Sequence, residues 1–191
     1  MKPLKNKYYA FRHGQSRANV EGIIISNPAV GTIAYGLTEV GRQQVATRVA
    51  SATDFDADSV IISSDFLRTR ETAEIVRAKL GAAEVILEER LRERFFGEWE
   101  GKSHTNYSEA WKTDSFDPDR VYHGAESSRS VQERMWSVIQ SLEVDYAKRT
   151  IILVSHGDPL MLLQTAFKDL GPDKHRALPY IETASWRLLT S

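Results

Sequence analysis

Two histidine–glycine pairs in this chain come shortly after apolar runs. His13 follows the run Tyr8–Phe11 after one intervening residue, and His156 follows Ile151–Val154 in the same way. Apolar runs of this length are typical of buried strands. In open α/β sheets, ligands bind just beyond the carboxyl ends of the strands. The spacing therefore predicts that two strand ends bring two imidazoles to one place.

The neighbours of His13 favour an anionic, oxygen-rich ligand. Arg12 precedes it, and a guanidinium binds phosphate or carboxylate oxygens in pairs. Gly14 follows it, and we expect the missing side chain to let a ligand approach the backbone. A neutral imidazole can attack phosphorus with one nitrogen while the other donates to a backbone carbonyl. The residues alone do not distinguish His13 from His156 as the nucleophile.

Apolar runs and helical patterns alternate along the chain. Further strands are predicted at Val60–Ile62 and Val85–Leu87, and a last one at Ala184–Leu189 on the sheet edge. This alternation predicts an α/β fold, a three-layer α/β/α sandwich with a mostly parallel central sheet. We expect a single domain over residues 1–191, with an insertion at about 102–124.

Polar residues at the predicted helix starts indicate how these helices are capped. Thr38 is expected at the N-cap of the first long helix, and Ser64 or Asp65 at that of the next, over 66–80. The strongest helical period covers 130–146. Asp158 is expected at the N-cap of the last helix, with a proline at its first position.

Two polar segments lie outside this strand and helix pattern. Residues 20–36 are rich in glycine, serine and asparagine and predict a long loop, which is commonly a lid or a binding segment. The part from 23 to 36 follows no pattern that gives it a role. We expect the 102–124 insertion to help shape the pocket.

Composition narrows the class of protein. A net charge of −1 over 191 residues argues against a general nucleic-acid binder. The absence of cysteine excludes disulfides and thiolate zinc sites. No apolar signal core or membrane-length run is present, so a cytoplasmic protein without membrane partners is the expectation. The oligomeric state is left open, a homodimer included.

The ordered set of motifs resembles the histidine phosphatase superfamily, the phosphoglycerate-mutase-like phosphatases and mutases. The match rests on Arg12-His13-Gly14, on Asn19 behind it, and on Ser155-His156-Gly157 near the C-terminus. It covers nearly the whole chain and implies the phosphoglycerate-mutase-like fold. It also implies a small phosphorylated substrate and no cofactor.

The resemblance also implies a division of roles at the strand ends. His13 is the nucleophile that forms a phosphohistidine, and His156 is a second imidazole that offers a hydrogen bond or a charge to the phosphoryl group. Arg12 and Arg68 bind the phosphate, the latter at the start of a helix whose free amides also favour an anion. Taken by its position alone, Arg68 would be interpreted as a solvated helix residue.

Two further residues take their roles from the resemblance. Glu93 matches the general acid/base that protonates the leaving oxygen, and Asn19 matches a residue that contacts the phosphate through its amide. Without the resemblance, four neighbouring glutamates compete with Glu93: Glu88, Glu89, Glu98 and Glu100. Three other histidines match nothing in the family and are expected on the surface: His104, His123 and His175.

The sequence keeps several functions open. A metal-independent phosphatase of the histidine acid type is favoured, because the chain is short for the cofactor-dependent mutases. The segment Arg94–Gly97 resembles the mutase version of its motif, so a phosphoglycerate-mutase-type phosphotransferase is the alternative. His13, His156 and Glu93 could instead form a two-histidine, one-carboxylate metal site, which the nearby arginines disfavour. A non-catalytic phospho-ligand binding module is the remaining option.

Overall fold

In the computed structural model, which describes residues 3–190, five strands form one sheet. They are β1 (Lys7–Arg12), β2 (Val60–Ser63), β3 (Ile86–Leu87), β4 (Thr150–Ser155) and β5 (Trp186–Leu188). The order across the sheet is β3-β2-β4-β1-β5. The first four strands pair in parallel, and β5 runs antiparallel to β1 at the edge. The mostly parallel sheet and the edge position of its last strand are confirmed, and the antiparallel direction of β5 comes from the structure alone.

Helices connect these strands and cover the sheet. They are α1 (Arg17–Glu21), α2 (Pro28–Gly31), α3 (Glu39–Ala50), α4 (Leu67–Leu80), α5 (Tyr107–Phe116), α6 (Ser128–Asp145) and α7 (Gly157–Phe167). Short 3₁₀ helices lie at Glu89–Leu91, Gly97–Trp99, His104–Asn106 and Pro172–Ala177. None of the helices within residues 3–190 has both the length and the hydrophobicity to cross a membrane.

The central strands are buried on both faces because their side chains alternate between two cores. On β1, Tyr8 and Ala10 join the core beneath α6 and α7, while Tyr9 and Phe11 join the core beneath α3 and α4. The four consecutive apolar residues of β4 divide between the two cores in the same way. This two-sided burial is the physical reason for the three-layer arrangement, and it confirms the predicted fold.

The strand register places the two histidines side by side. β1 and β4 are neighbours, and Arg12 lies opposite Ser155. His13 and His156 therefore leave the sheet together, and the His13 amide donates to the Ser155 carbonyl at 3.1 Å. β2 is the other neighbour of β4, so the turn into α4 opens at the same edge.

The predicted helix caps are right at α3 and wrong at α4 and α7. The Thr38 hydroxyl accepts from the Gly41 amide, as expected of an N-cap. α4 instead begins behind Phe66, which caps without a side-chain hydrogen bond. α7 begins two residues earlier than predicted, with His156 at the N-cap and Asp158 inside the first turn. The polar side chains expected to cap these two helices make other contacts, described below.

The segment 20–36 is more ordered than a long loop. Helix α1 has a capping box, in which Ser16 and Asn19 bond each other's backbone amides, and α2 starts with a proline behind the Asn27 cap. Ile24 is fully buried and packs with Phe96 and Trp99 in a small separate core. This core ties the segment to the strip of chain that carries Glu93.

Candidate active site

His13 is buried at the end of β1 with one ring nitrogen already engaged. Its Nδ1 lies 2.7 Å from the Gly14 carbonyl oxygen, so it is the protonated nitrogen and donates to that oxygen. The other nitrogen, Nε2, is then the one with a lone pair. Burial lowers the pKa of His13 well below its ordinary value, and Arg68 and Arg12 lower it further. His13 is therefore an uncharged imidazole with a defined tautomer at neutral pH.

Gly14 makes room for a helix, and not for the ligand that its position beside His13 predicts. A Cβ at residue 14 would lie 2.6 Å from the Gly41 carbonyl oxygen and 2.8 Å from the Val45 side chain. The glycine therefore lets α3 approach the turn after β1, and the expectation of a ligand at this backbone is wrong. The glycine beside the cavity is Gly157, whose Cβ would lie 3.3 Å from Arg12 Cζ.

His156 faces His13 with 5.3 Å between the ring centroids. Arg68 Nε donates to its Nδ1 at 3.1 Å, so the ring proton lies on Nε2, 3.0 Å from the Ser64 hydroxyl. Burial lowers the pKa of His156 well below its ordinary value, and the charge of Arg68 acts in the same direction. Because the ring is neutral, the hydrogen-bonding role predicted for His156 is favoured over the role of a positive charge.

Arg68 and Arg12 both bring positive charge close to the two histidines. Arg68 lies in the first turn of α4, almost fully buried, and its Nη2 donates to the Ile25 carbonyl at 3.0 Å. Arg12 donates from Nη1 to the Tyr180 hydroxyl at 2.6 Å and to the Ile181 carbonyl at 3.1 Å. Its Nε is buried without a hydrogen-bond partner among residues 3–190. Two fixed guanidinium groups and an unused buried donor favour an anionic ligand.

Glu93 reaches the same place from the segment after β3. Its Oε2 lies 3.7 Å from Arg68 Nη2 and 3.9 Å from His156 Nδ1, while Oε1 accepts from the Arg94 amide at 3.0 Å. Burial raises the pKa of this carboxyl to about 7, although the attraction of Arg68 opposes the shift. Glu93 therefore exchanges a proton near neutral pH, as an acid/base catalyst must.

Asn19 lies at the exposed rim with its amide group available. Its side-chain oxygen accepts from the backbone amide and the hydroxyl of Ser16, each at 3.0 Å. This use of the oxygen leaves the NH₂ group, a double donor, for a ligand. The side-chain amide is thus oriented by the cap of α1.

Five of the six predicted site residues line one cavity of about 540 Å³. The sixth, His156, is fully buried against His13. Sequence reasoning missed several other lining residues: Tyr107, Trp111, Asp158, Arg176 and Tyr180. None of them belongs to a motif, because they come from α5, the first turn of α7 and the segment after it. The one local signal was Asp158, which was interpreted as a helix cap.

Asp158 is a member of a buried charge cluster behind the cavity. It accepts from Trp111 Nε1 at 2.8 Å and from Arg94 Nη1 at 3.3 Å. Although burial acts to raise it, the pKa of Asp158 is lowered because Arg94 stabilises the carboxylate. Arg94 also forms a bidentate pair with Asp114 at 2.6 and 2.9 Å. The cluster fastens α5 to α7 and to the chain beside Glu93.

His175 also belongs to this cluster, so the expectation of a surface residue is wrong. It is fully buried, its Nδ1 donates to the Pro172 carbonyl at 2.8 Å, and its Nε2 lies 3.8 Å from Asp114. The 3₁₀ helix that carries it packs between α5 and α7, which no sequence pattern indicated. His104 and His123 are exposed, as expected, and the former lines the cavity.

Replacing Asp114 by alanine should destabilise the fold strongly. The change leaves buried Arg94 without its bidentate partner, and breaking a buried pair from one side costs about 3–5 kcal/mol. We expect the low end, because Asp158 still faces the guanidinium. The melting temperature should fall by roughly 6–12 °C in a calorimetric scan.

The matched control for Asp114→Ala is Arg129→Ala. It breaks the exposed pair with Asp119, and exposed pairs contribute at most about 1 kcal/mol. Equal losses of stability in the two variants would contradict the importance assigned to the buried cluster.

The arrangement of side chains disfavours the two-histidine, one-carboxylate metal site. Within residues 3–190 no group of three or more histidine, cysteine, aspartate or glutamate residues is placed to hold a metal ion. Both ring nitrogens of His156 are already bonded, to Arg68 and Ser64. Two guanidiniums at the same centre would also repel a divalent cation.

Comparison with known proteins agrees with this geometry. The sequence pattern of the histidine phosphatase superfamily (branch 1) matches residues 8–191. Glucosyl-3-phosphoglycerate phosphatase from Mycolicibacterium vanbaalenii is 28% identical over 189 residues, covering 92% of this chain and 80% of that protein. A protein from Escherichia fergusonii named probable phosphoglycerate mutase GpmB is 36% identical over 177 residues, covering 89% and 78%.

A solved structure extends the likeness to the fold. The structure of a mycobacterial glucosyl-3-phosphoglycerate phosphatase with VO3 superposes with a TM-score of 0.77 at 26% identity, covering 97% of this chain and 99% of the other. The family match spans nearly the whole chain, and the structural match includes the sheet and the site at its edge. This chain therefore belongs to the histidine phosphatase superfamily, and a phosphatase or mutase-type activity fits it.

Proposed function

We propose that this protein is a metal-independent phosphomonoester hydrolase that acts through a phosphohistidine on His13. One observation carries the proposal: a single site holds a neutral buried imidazole, two guanidiniums and a carboxyl group whose pKa is about 7. Relatives named as phosphatases support hydrolysis as the net reaction. Phosphoryl transfer asks a protein mainly for positioning and for positive charge, which this site offers.

In the first step, Nε2 of His13 attacks the phosphorus of the substrate. The new N–P bond forms as the bond between phosphorus and the ester oxygen breaks. Arg12 and Arg68 neutralise charge on the equatorial oxygens, and protonated Glu93 donates its proton to the leaving oxygen. The products of this step are the free alcohol, the phosphohistidine and a Glu93 carboxylate.

In the second step, water hydrolyses the phosphohistidine. The Glu93 carboxylate accepts a proton as the water oxygen attacks phosphorus, and the N–P bond breaks. Inorganic phosphate leaves, His13 returns to its neutral form, and Glu93 is again protonated. Asn19 donates hydrogen bonds to the phosphoryl oxygens during both steps. His156 donates from Nδ1 once its ring proton has moved there from Nε2; the Ser64 hydroxyl then donates to Nε2, and Arg68 Nε turns to the phosphoryl group.

Phosphate release in the presence of a chelator tests the net reaction. We expect activity on a panel of phosphomonoesters, including phosphoglycerates and fructose bisphosphates, to persist unchanged in excess EDTA. Vanadate should inhibit it, because vanadate adopts the five-coordinate geometry of the transferring phosphorus. Loss of activity in EDTA, restored by a divalent metal, would contradict the metal-independent mechanism. Inactivity on the whole panel would favour a phospho-ligand binding module.

The likeness to a protein named as a phosphoglycerate mutase favours one alternative. In a mutase, the phosphohistidine would pass its phosphoryl group to a second hydroxyl of the substrate instead of to water. Incubation with a single phosphoglycerate isomer separates the two outcomes. The proposed hydrolase releases inorganic phosphate, whereas a mutase accumulates the other isomer without phosphate release.

A further inference from the structure

We propose that Arg176 selects phosphomonoesters that carry a second anionic group, either a carboxylate or another phosphate. The inference deepens the proposed function and rests on it, because it concerns the outer half of the same cavity. Arg176 lies on the 3₁₀ helix Pro172–Ala177 and lines the same cavity as His13. Nothing in the reaction as described so far requires it.

The guanidinium of Arg176 is held by aromatic rings and leaves its charge uncompensated. Its Cζ lies 3.8 Å from the ring centroid of Trp111 and 5.4 Å from that of Tyr180. Within residues 3–190 no carboxylate or carbonyl accepts a hydrogen bond from it. A guanidinium stacked on ring faces keeps its N–H donors in the plane of the group, free to bind an anion edge-on.

The aromatic anchors of Arg176 are themselves fixed by the site. Trp111 donates from Nε1 to Asp158 at 2.8 Å, and the Tyr180 hydroxyl accepts from Arg12 at 2.6 Å. Arg176 is thus linked through one ring to an inner phosphate-binding arginine and through the other to the buried charge cluster. Holding the side chain in place in advance lowers the entropy cost of binding through it.

The charges of the cavity favour an anion at this position. Glu93 and Asp158 are its two acidic lining residues, and both are deeply buried. Glu93 is partly protonated near neutral pH because its pKa is about 7. The oxygens of Asp158 accept hydrogen bonds from Trp111 and Arg94. Arg176, in contrast, is exposed to the cavity with its charge unpaired.

Other lining residues suit a polar substrate body. His104, Thr105 and Ser108 are exposed and offer an imidazole and two hydroxyl groups. The Trp111 ring is stacked against Arg176 and Tyr107, and the Tyr180 ring contacts Arg176 and Arg12. These rings are already engaged and do not favour stacking on a base or another flat ring. The chemistry therefore fits a small hydroxylated acid or sugar with phosphate at one end and an anion at the other.

Matched pairs of substrates test this selection. One pair is 3-phosphoglycerate and glycerol 3-phosphate, which differ by a carboxylate in place of a hydroxymethyl group. The other is fructose bisphosphate and fructose monophosphate, which tests a second phosphate instead. For at least one pair, kcat/KM should be higher for the doubly anionic member, meaning the compound with two anionic groups. The pair that shows the preference identifies whether the second group is a carboxylate or a phosphate.

Arg176→Gln should remove this preference. We expect kcat/KM for the doubly anionic member to fall roughly 10- to 100-fold, mainly through KM, because a charged hydrogen-bonded contact is lost. Hydrolysis of the partner whose phosphate is its one anionic group should stay within about twofold of the rate of the unchanged protein. Arg176→Lys should restore part of the preference, since it keeps the charge but not the paired donors.

Lys174→Gln is the matched control. It removes a positive charge from the same 3₁₀ helix, but Lys174 is paired with Asp173 and does not line the cavity. Its substrate preference should equal that of the unchanged protein. An equal loss in Lys174→Gln and Arg176→Gln would reduce the effect to general electrostatics and overturn the proposal.

A binding measurement separates failure of this proposal from failure of the proposed function. Calorimetric titration of 3-phosphoglycerate and glycerol 3-phosphate into His13→Ala, with and without Arg176→Gln, needs no turnover. Preference for the acid that disappears with Arg176 supports the selection even if no hydrolysis is found. Equal affinity for both compounds, with the fructose pair also equal, overturns the selection while leaving phosphatase activity intact.

Discussion

Replacing His13 by alanine is expected to reduce turnover of every phosphomonoester by at least about 10⁴-fold, the scale seen when a covalent nucleophile is removed. The neighbouring groups cannot substitute for it. His156 has both ring nitrogens bonded, and the carboxyl of Glu93 is held by Arg94 and Arg68. Residual activity is measured as phosphate release, at an enzyme concentration high enough for a turnover slower by about 10⁴-fold to remain above the detection limit of the phosphate assay.

The phosphoenzyme is the second readout for His13. Rapid quenching of the unchanged protein with a labelled substrate should trap a phosphohistidine that is stable in base and labile in acid, and His13→Ala should give none. His123→Asn is the control, because it removes an exposed histidine at a positive φ that asparagine tolerates. Substantial turnover by His13→Ala, or label retained on it, would refute the assignment of the nucleophile.

Glu93→Gln should slow the chemical step by about 10²–10⁴-fold, the usual contribution of a general acid. The amide keeps the size of the side chain, but its N–H groups are not acidic enough to protonate the leaving oxygen, and it is not basic enough to take a proton from water. Phosphate affinity should change little, since Arg12 and Arg68 remain. Single-turnover kinetics on the variant measure the loss directly.

The pH dependence follows from the raised pKa of Glu93. The first step needs the carboxylic acid, so kcat/KM of the unchanged protein should fall as pH rises through about 7. The variant should lose this limb of the profile. Glu89→Gln, which alters an exposed glutamate of the same segment, should retain both the rate and the profile.

Above pH 7, the Glu93→Gln substitution should change stability in the opposite sense to activity. The carboxyl has a pKa of about 7 when folded, against 4.5 in an unperturbed chain, so the native state binds the proton more tightly. Stability of the unchanged protein therefore decreases as pH rises from about 4.5 to 7 and stays lower above that range. Glu93→Gln should remove this decrease and be more stable above pH 7 by up to about 3 kcal/mol.

Denaturant unfolding at pH 5 and pH 8 tests that sign. The difference between Glu93→Gln and the unchanged protein should be larger at the higher pH. A variant that is inactive and also less stable at pH 8 would indicate a structural purpose for Glu93 and would contradict the acid/base role.

The sequence by itself determined the layout of the sheet and the meeting of the histidines. Two apolar runs that each end one residue before a histidine predicted parallel strands covered on both faces, and β1 and β4 are such strands and lie side by side. The ordered motifs then indicated Arg68 and Glu93, whose individual positions carried no such signal. These features are readable because they are periodic or local.

Only the tertiary structure decided how the side chains at helix starts are used. Asp158 has the composition of an N-cap, and such a cap is worth about 1 kcal/mol. Here it instead pairs with Arg94 inside the fold, where leaving the buried Asp158 carboxylate without a partner would cost about 3–5 kcal/mol. Ser64 likewise turns to His156. The larger energy is non-local, so the local pattern could not reveal it.

The outer wall of the cavity also came from the tertiary structure alone. Trp111 lies far from Arg176 and Tyr180 in the sequence, and none of the three belongs to a periodic pattern. They meet because the buried pairs of Arg94, Asp114 and Asp158 fasten α5 against α7 and the 3₁₀ helix after it. Local patterns, together with the family resemblance, thus indicated the site at the strand ends, whereas side-chain packing between distant segments decided which other residues line its cavity.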